Sequence, residues 1–297
     1  MNNTQENNTQ NPLEWRSVDV GDGVRIRYGL GGAGNKTVLL IHGYPETVHA
    51  WRKVVGPLMD SQCRIIALDV RGAGGSSRPM GGYDKATLAE DCLKVLDHAG
   101  ITEPVCVVGH DIGMMIAYAF AWKFPSRLDR LVVMESPLPG TKAYEAVRQD
   151  DSRVWHFHFH QAPDIPEGLT AGKERFYLER FWHDLAYDAG AIDQNAKNVY
   201  LESFSQPGAM RAGFELYRAF PKDAVDNQNA LEQHGKLKLP VLALFGESSG
   251  FDQTIKNEMQ EVADDVVFVN IPKAAHWIPE ENPKAFVQAV LSFLRSA

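Results

Sequence analysis

The chain has 297 residues, 44% hydrophobic and 23% charged, with a net charge of −8. That balance supports a sizeable core, in one large domain or a domain with an insertion, and excludes a wholly disordered chain. The acidic excess argues against nucleic acid or an anionic membrane surface as a partner, and no apolar run approaches the ~20 residues of a membrane span.

Residues 1–13 are expected to be disordered. Residues 1–10 are polar and lack the apolar core of a signal peptide, which places the chain in the cytoplasm; a removed leader would place it in the periplasm or outside the cell. Residues 15–29 alternate and read as two strands joined at Asp22-Gly23. Residues 37–41 form the first strand of buried, parallel type and run into His42-Gly43-Tyr44-Pro45-Glu46-Thr47, with a helix through Trp51 to Met59. Residues 63–69 are the next strand. The glycine-rich loop after it, residues 71–77, opens no helix and has no following Lys, so it is not a phosphate site. Residues 83–99 have helical spacing, with Leu88, Cys92, Val95 and Leu96 on one face. Residues 104–108 form another buried strand and residues 114–122 a helix. Residues 131–134 are a strand ending at Glu135.

From about residue 140 to 235 the alternation of strand and helix stops. The stretch reads as short helices interrupted by Pro163, Pro166, Pro207 and Pro221. Residues 151–220 hold 13 of the chain's 29 aromatic residues, which fits a lid over an apolar cavity. Alternation resumes with a strand at 240–245, a helix at 253–263, a last strand at 265–269, a loop carrying His276, and a closing helix from about 283 to 294. The pattern predicts an α/β fold, a doubly wound and mostly parallel sheet, with core segments 14–139 and 236–297 and a helical cap at 140–235. Such sheets bind ligands at the carboxyl ends of their strands, where Asp111, Glu135, His276 and the His42-Gly43 turn all fall. The three cysteines, Cys63, Cys92 and Cys106, are too sparse for a disulfide framework and read as buried small hydrophobes.

Between the strand at 104–108 and the helix at 114–122 lies Gly109-His110-Asp111-Ile112-Gly113. A strand, a turn flanked by two glycines and a helix form a nucleophile elbow, which pushes the middle residue out above the sheet. Here that residue is Asp. A carboxylate attacks carbon directly and forms an ester without a base to deprotonate it. The competing reading is that Asp111 only caps the helix. His156, His158 and His160 invite a metal reading, since 156 and 160 share a helix face, but there is no HExxH pattern and no evident third ligand.

These residues resemble the α/β-hydrolase family, and within it the epoxide hydrolases and dehalogenases that use an Asp nucleophile. The resemblance rests on His42-Gly43-Tyr44-Pro45-Glu46, Asp69-Val70-Arg71-Gly72, Gly109-His110-Asp111-Ile112-Gly113, Ala275-His276-Trp277 and Pro279-Glu280, and it spans nearly the whole chain from about residue 14. Trp155-His156-Phe157 and Tyr217-Arg218 resemble a bacterial epoxide hydrolase subgroup, Cif-like, that includes the secreted inhibitory factor of the cystic fibrosis chloride channel. The resemblance implies that Asp111 opens an apolar epoxide, that the backbone amides of Tyr44 and Ile112 form the oxyanion hole, and that His276 activates water to cleave the ester. His156 and Tyr217 would donate to the epoxide oxygen. The carboxylate orienting His276 is Glu135, ahead of Glu247 and Asp252; Ser249 stands where many relatives carry the acid. No cofactor and no metal are implied, and a second copy of the chain is the partner the family suggests. Dehalogenation of haloalkanes or haloacids is the alternative chemistry. It is disfavoured by Ile112 where haloalkane enzymes carry an indole, by Tyr44 where they often carry Asn, by apolar or small residues where haloacetate enzymes carry arginines, and by Phe157 where those have Trp. A non-catalytic binding protein on this scaffold is the remaining alternative.

Overall fold

Along β3 (Lys36–Ile41) and β5 (Val105–His110) successive side chains turn to opposite faces, and both faces are buried. Val38 and Leu40 enter one apolar cluster, Leu39 and Ile41 the other. Strands buried on both sides belong in the middle of a parallel sheet covered by helices.

The computed structural model describes residues 12–149 and 151–296. Its sheet contains β1 (Glu14–Asp19), β2 (Arg25–Gly31), β3, β4 (Cys63–Leu68), β5, β6 (Leu128–Met134), β7 (Val241–Gly246) and β8 (Val266–Ile271), in the order β1-β2-β4-β3-β5-β6-β7-β8. Only the β1–β2 and β2–β4 pairs are antiparallel. Helices α1 (Arg52–Asp60) and α13 (Pro283–Arg295) cover one face through Val54, Leu58, Phe286 and Val290. Helices α2 (Lys85–His98), α3 (Ile112–Lys123) and α11 (Asp252–Val262) cover the other through Leu88, Val95, Ile116 and Met259. Between β6 and β7 come α4 (Lys142–Arg148), α5 (Asp151–Gln161), α6 (Ile165–Thr170), α7 (Glu174–Asp184), α8 (Gln194–Phe204), α9 (Ala209–Arg218) and α10 (Phe220–His234); the short α12 (Ile278–Glu281) precedes α13. Among the described residues no helix is long and apolar enough to cross a membrane.

Three details differ from the expectation. Residues 1–11 lie outside the described residues, but Leu13 is already buried, so order begins before residue 14. Pro166 and Pro221 do not interrupt helices; they sit in the first turns of α6 and α10, where the missing N–H has no helical acceptor to lose. And β5 runs two residues further than its apolar core, because Gly109 and His110 pair with Val133 and Met134 of β6. The three cysteines are buried and unpaired.

The elbow sets the tightest packing. A Cβ on Gly113 would lie 2.1 Å from the Ile41 carbonyl oxygen, and one on Gly109 would lie 2.2 Å from the Gly113 carbonyl oxygen. Backbone atoms cannot step aside as a side chain can, so α3 reaches the sheet only without those carbons. Gly113→Ala should therefore cost about 2–3 kcal/mol by overpacking, measured as a lower urea midpoint at unchanged slope.

Candidate active site

Two carboxylates stand side by side at the ends of adjacent strands. Asp111 follows β5 and Glu135 follows β6, and both are held at positive φ, 53° and 62°. Side chains other than glycine rarely accept that conformation, and it persists where surrounding contacts enforce it. For Asp111 the enforcing contacts are its N–H to the Met134 carbonyl (3.0 Å) and the Met114 N–H to its own carbonyl (2.8 Å). Asp111 stands at the N-cap of α3, but its side chain makes no capping hydrogen bond there. It accepts instead from the Tyr44 N–H, 2.9 Å from Oδ1.

His276 comes from the loop after β8. Its Nε2 lies 3.8 Å from Asp111 Oδ2, and its Nδ1 lies 3.7 Å from Glu135 Oε2. Both distances exceed a hydrogen bond, and neither Nδ1 nor Oε2 has another partner. Glu135 is anchored through its other oxygen, which accepts the Gly246 N–H at 2.7 Å. Glu247 is exposed and accepts from the Lys273 N–H, and Asp252, near enough to act on Glu135 through its charge, pairs with Lys256. Ser249 accepts the Phe251 N–H at 3.2 Å.

Burial sets the charge states. It pushes Asp111 above the usual carboxylate range against the opposing pull of His276, His110 and the amides of Tyr44 and Ile112. It pushes His276 down to about 4, with His110 adding to the effect, so the imidazole is neutral at neutral pH. It raises Glu135 to about 8, against the Gly246 N–H and His110. That carboxyl is best stabilised as an anion when the facing imidazole carries a proton.

The cap supplies the opposite wall. Asp111, Glu135 and His276 share a tight cavity of about 20 Å³ with Val154, Phe157, Phe181, Leu185, Phe251, His156 and Tyr217. The three lid histidines diverge. His156 faces the cavity, His160 is buried with its Nε2 2.5 Å from the Tyr177 hydroxyl, and His158 is exposed. Burial and nearby His276 push His156 down to about 3, so it is a neutral N–H donor. Burial and the Asp111 charge raise Tyr217 well above the usual phenol range, which keeps its hydroxyl protonated. The two rings meet edge to face with centroids 5.6 Å apart. The cap is tied to the base loop where the His276 N–H donates to the Leu185 carbonyl at 3.1 Å.

Two groups at this site carry no signal in local sequence. Lys85 is buried at the start of α2, and its Nζ donates to Asp223 Oδ2 and to the Leu216 carbonyl, both at 2.6 Å. It thereby fixes the residue before Tyr217. On the other flank Arg218 donates to the Ala162 carbonyl and to Glu167, joining α9 to the end of α5. The second group is the buried Glu46–His110 pair beneath Asp111. Glu46 belongs to the quoted His-Gly turn and His110 to the elbow, so both positions were visible although their pairing was not. Lys85→Met should cost about 3–5 kcal/mol by leaving the Asp223 carboxylate buried without its counter-charge, and the added Asp223→Asn, which still accepts the residue 85 N–H, should recover part of it, measured as a double-mutant cycle by chemical denaturation; additive losses would contradict the pairing.

The model of the α/β hydrolase fold family matches residues 36–283. A soluble epoxide hydrolase of Corynebacterium sp. (strain C12) is 32% identical over 282 residues, 92% of this chain and 94% of that protein. A fluoroacetate dehalogenase of Burkholderia sp. is 32% identical over 215 residues, 70% of this chain and 69% of that protein. Among solved structures, Cfl2 from Burkholderia cenocepacia has a TM-score of 0.88 at 34% identity, with 96% of each chain covered. Sheet, elbow and sequence similarity agree: the chain belongs to the α/β-hydrolase fold family, in its epoxide hydrolase branch.

Proposed function

We propose that the protein hydrolyses an apolar epoxide to a vicinal diol through an ester on Asp111. The observation that carries this reading is the division of labour between the two Asp111 oxygens. Oδ1 is engaged by the Tyr44 N–H, whereas Oδ2 is turned toward His276 at a distance too long for a hydrogen bond. Oδ2 is thus the free nucleophile, and Oδ1 already sits where the ester carbonyl oxygen must be.

In the first step Oδ2 attacks an epoxide carbon and that carbon's bond to oxygen breaks. An alkoxide is a poor leaving group, so Tyr217 gives the ring oxygen its proton while the His156 N–H also donates to it. In the second step His276 takes a proton from water, and the resulting hydroxide adds to the Asp111 carbonyl carbon. The charge on Oδ1 is held by the Tyr44 and Ile112 amides, where one donor is typically worth ~3 kcal/mol. Collapse releases the second diol oxygen, which takes the proton from His276. The Asp111 carboxyl then loses its proton, and Tyr217 regains one. Glu135 stabilises the imidazolium in between. The approach of Glu135 Oε2 to Nδ1 is a motion of under an ångström, in keeping with catalytic hydrogen bonds that are long before substrate binds. The aromatic cap wall supports an apolar substrate.

Similarity to a fluoroacetate dehalogenase keeps halide displacement as the second reading, since the attack by Asp111 is the same. A haloacid carries its own carboxylate and needs a cation to hold it. The residues after the nucleophile, Ile112, Gly113 and Met114, are buried and supply none.

Glu135→Gln should slow ester hydrolysis more than its formation. Intact mass after exposure to terminal epoxides such as styrene oxide should then rise by one epoxide, and not in Asp111→Ser. Halide release from haloalkanes or haloacetates, with no diol from any epoxide, would overturn the reading.

A further inference from the structure

The Glu46–His110 pair has a geometry the steps above do not use. His110 is wholly buried between the nucleophile and the base loop. Its Nδ1 lies 2.9 Å from Glu46 Oε2, and its Nε2 lies 2.8 Å from the carbonyl oxygen of His276. A carbonyl only accepts, so Nε2 carries a hydrogen. Glu46 Oε2 also accepts the Gly43 N–H at 3.4 Å, next to the Tyr44 amide that holds Asp111. One imidazole therefore ties together the His-Gly turn, the elbow and the base loop, three segments far apart in sequence. Its ring lies 4.8 Å from the His276 ring, centroid to centroid.

We infer that Glu46 and His110 form a positioning unit for the base: the pair fixes the His276 main chain against the elbow and sets a buried carboxylate–imidazole pair beside His276 and Asp111. This rests on the proposed roles of those two residues. The groups facing His110 are Glu46, Asp111, Glu135, His276 and, from the turn after β3, His42. His276 additionally faces Glu135, Glu281 and, across the cavity, His156. Burial alone would strip His110 of its proton, but Glu46 outweighs it and raises the group to about 9. The resulting cation disfavours a second proton on His276, more than the farther Glu46 anion favours one. Burial is the main reason the base stays neutral to low pH, and the His110 cation adds to it.

Glu46→Gln separates charge from shape. A glutamine donates to a neutral His110 Nδ1 in the same place, so the bond to the His276 carbonyl survives and the positive charge does not. The rate of hydrolysis of the preformed ester is read as a function of pH, by single turnover with styrene oxide. In wild type it should fall only near the depressed His276 value, about 4. In Glu46→Gln that acid limb should move up by roughly half a pH unit or more, because a like charge beside the base is gone. His110→Phe keeps a ring but loses the tether, and should slow ester hydrolysis between roughly 10- and 100-fold through misplacement of the base, with ester still forming by intact mass. Unmoved acid limbs and unslowed hydrolysis in both folded variants would overturn the inference while leaving the ester mechanism standing. Absence of any ester in wild type and in Glu135→Gln alike would instead overturn the reading beneath it.

Discussion

The site depends on a contact between two backbones. The first turn of α3 rests on the carbonyl end of β3, and it does so because neither Gly109 nor Gly113 has a Cβ to hold it off. That contact brings the Ile112 amide to the sheet edge and leaves Asp111 no conformation but a positive φ. It also brings Asp111 within reach of the Tyr44 N–H, from the turn that follows β3. The Asp111 carboxylate and the amides proposed to serve it are thus brought together by the same packing.

Around that point the chain gathers ionisable groups into a space with little water. A low dielectric strengthens every interaction between them and penalises every uncompensated charge. The chain answers differently for each. Asp111 has amide donors, His276 and His156 give up their charge, and Tyr217 keeps its proton. Glu46 and His110 form an internal ion pair. The cap follows the same logic: Lys85 enters the interior only because Asp223 and a main-chain carbonyl receive it. In both of these pairs the partner also holds a segment of the chain near the site.

Local sequence reported what depends on local physics. Apolar β-branched runs gave away the central strands, and the flanking glycines gave away the turn at Asp111. The position of His276 after the last strand could be read from the alternation alone. Which carboxylate faces His276 could not be read that way. Glu135, Glu247 and Asp252 all follow strands or begin helices, and only the neighbouring places of β5 and β6 in the sheet set Glu135 3.7 Å from His276. Pro166 and Pro221 were read as breaks because a proline's effect depends on its position within a turn, which spacing does not give. Lys85 and Asp223 are separated by 138 positions and His110 and Glu46 by 64, and no periodicity joins such pairs.

Oxygen tracing tests the proposed covalent step at Asp111 most directly. One equivalent of epoxide is turned over by excess unlabelled enzyme in water enriched in oxygen-18. If Asp111 supplies the oxygen, the first diol carries no label, and the peptide containing Asp111 gains one heavy oxygen. Label in the first diol and none in that peptide would mean that water attacks the epoxide directly, and the ester mechanism would be wrong.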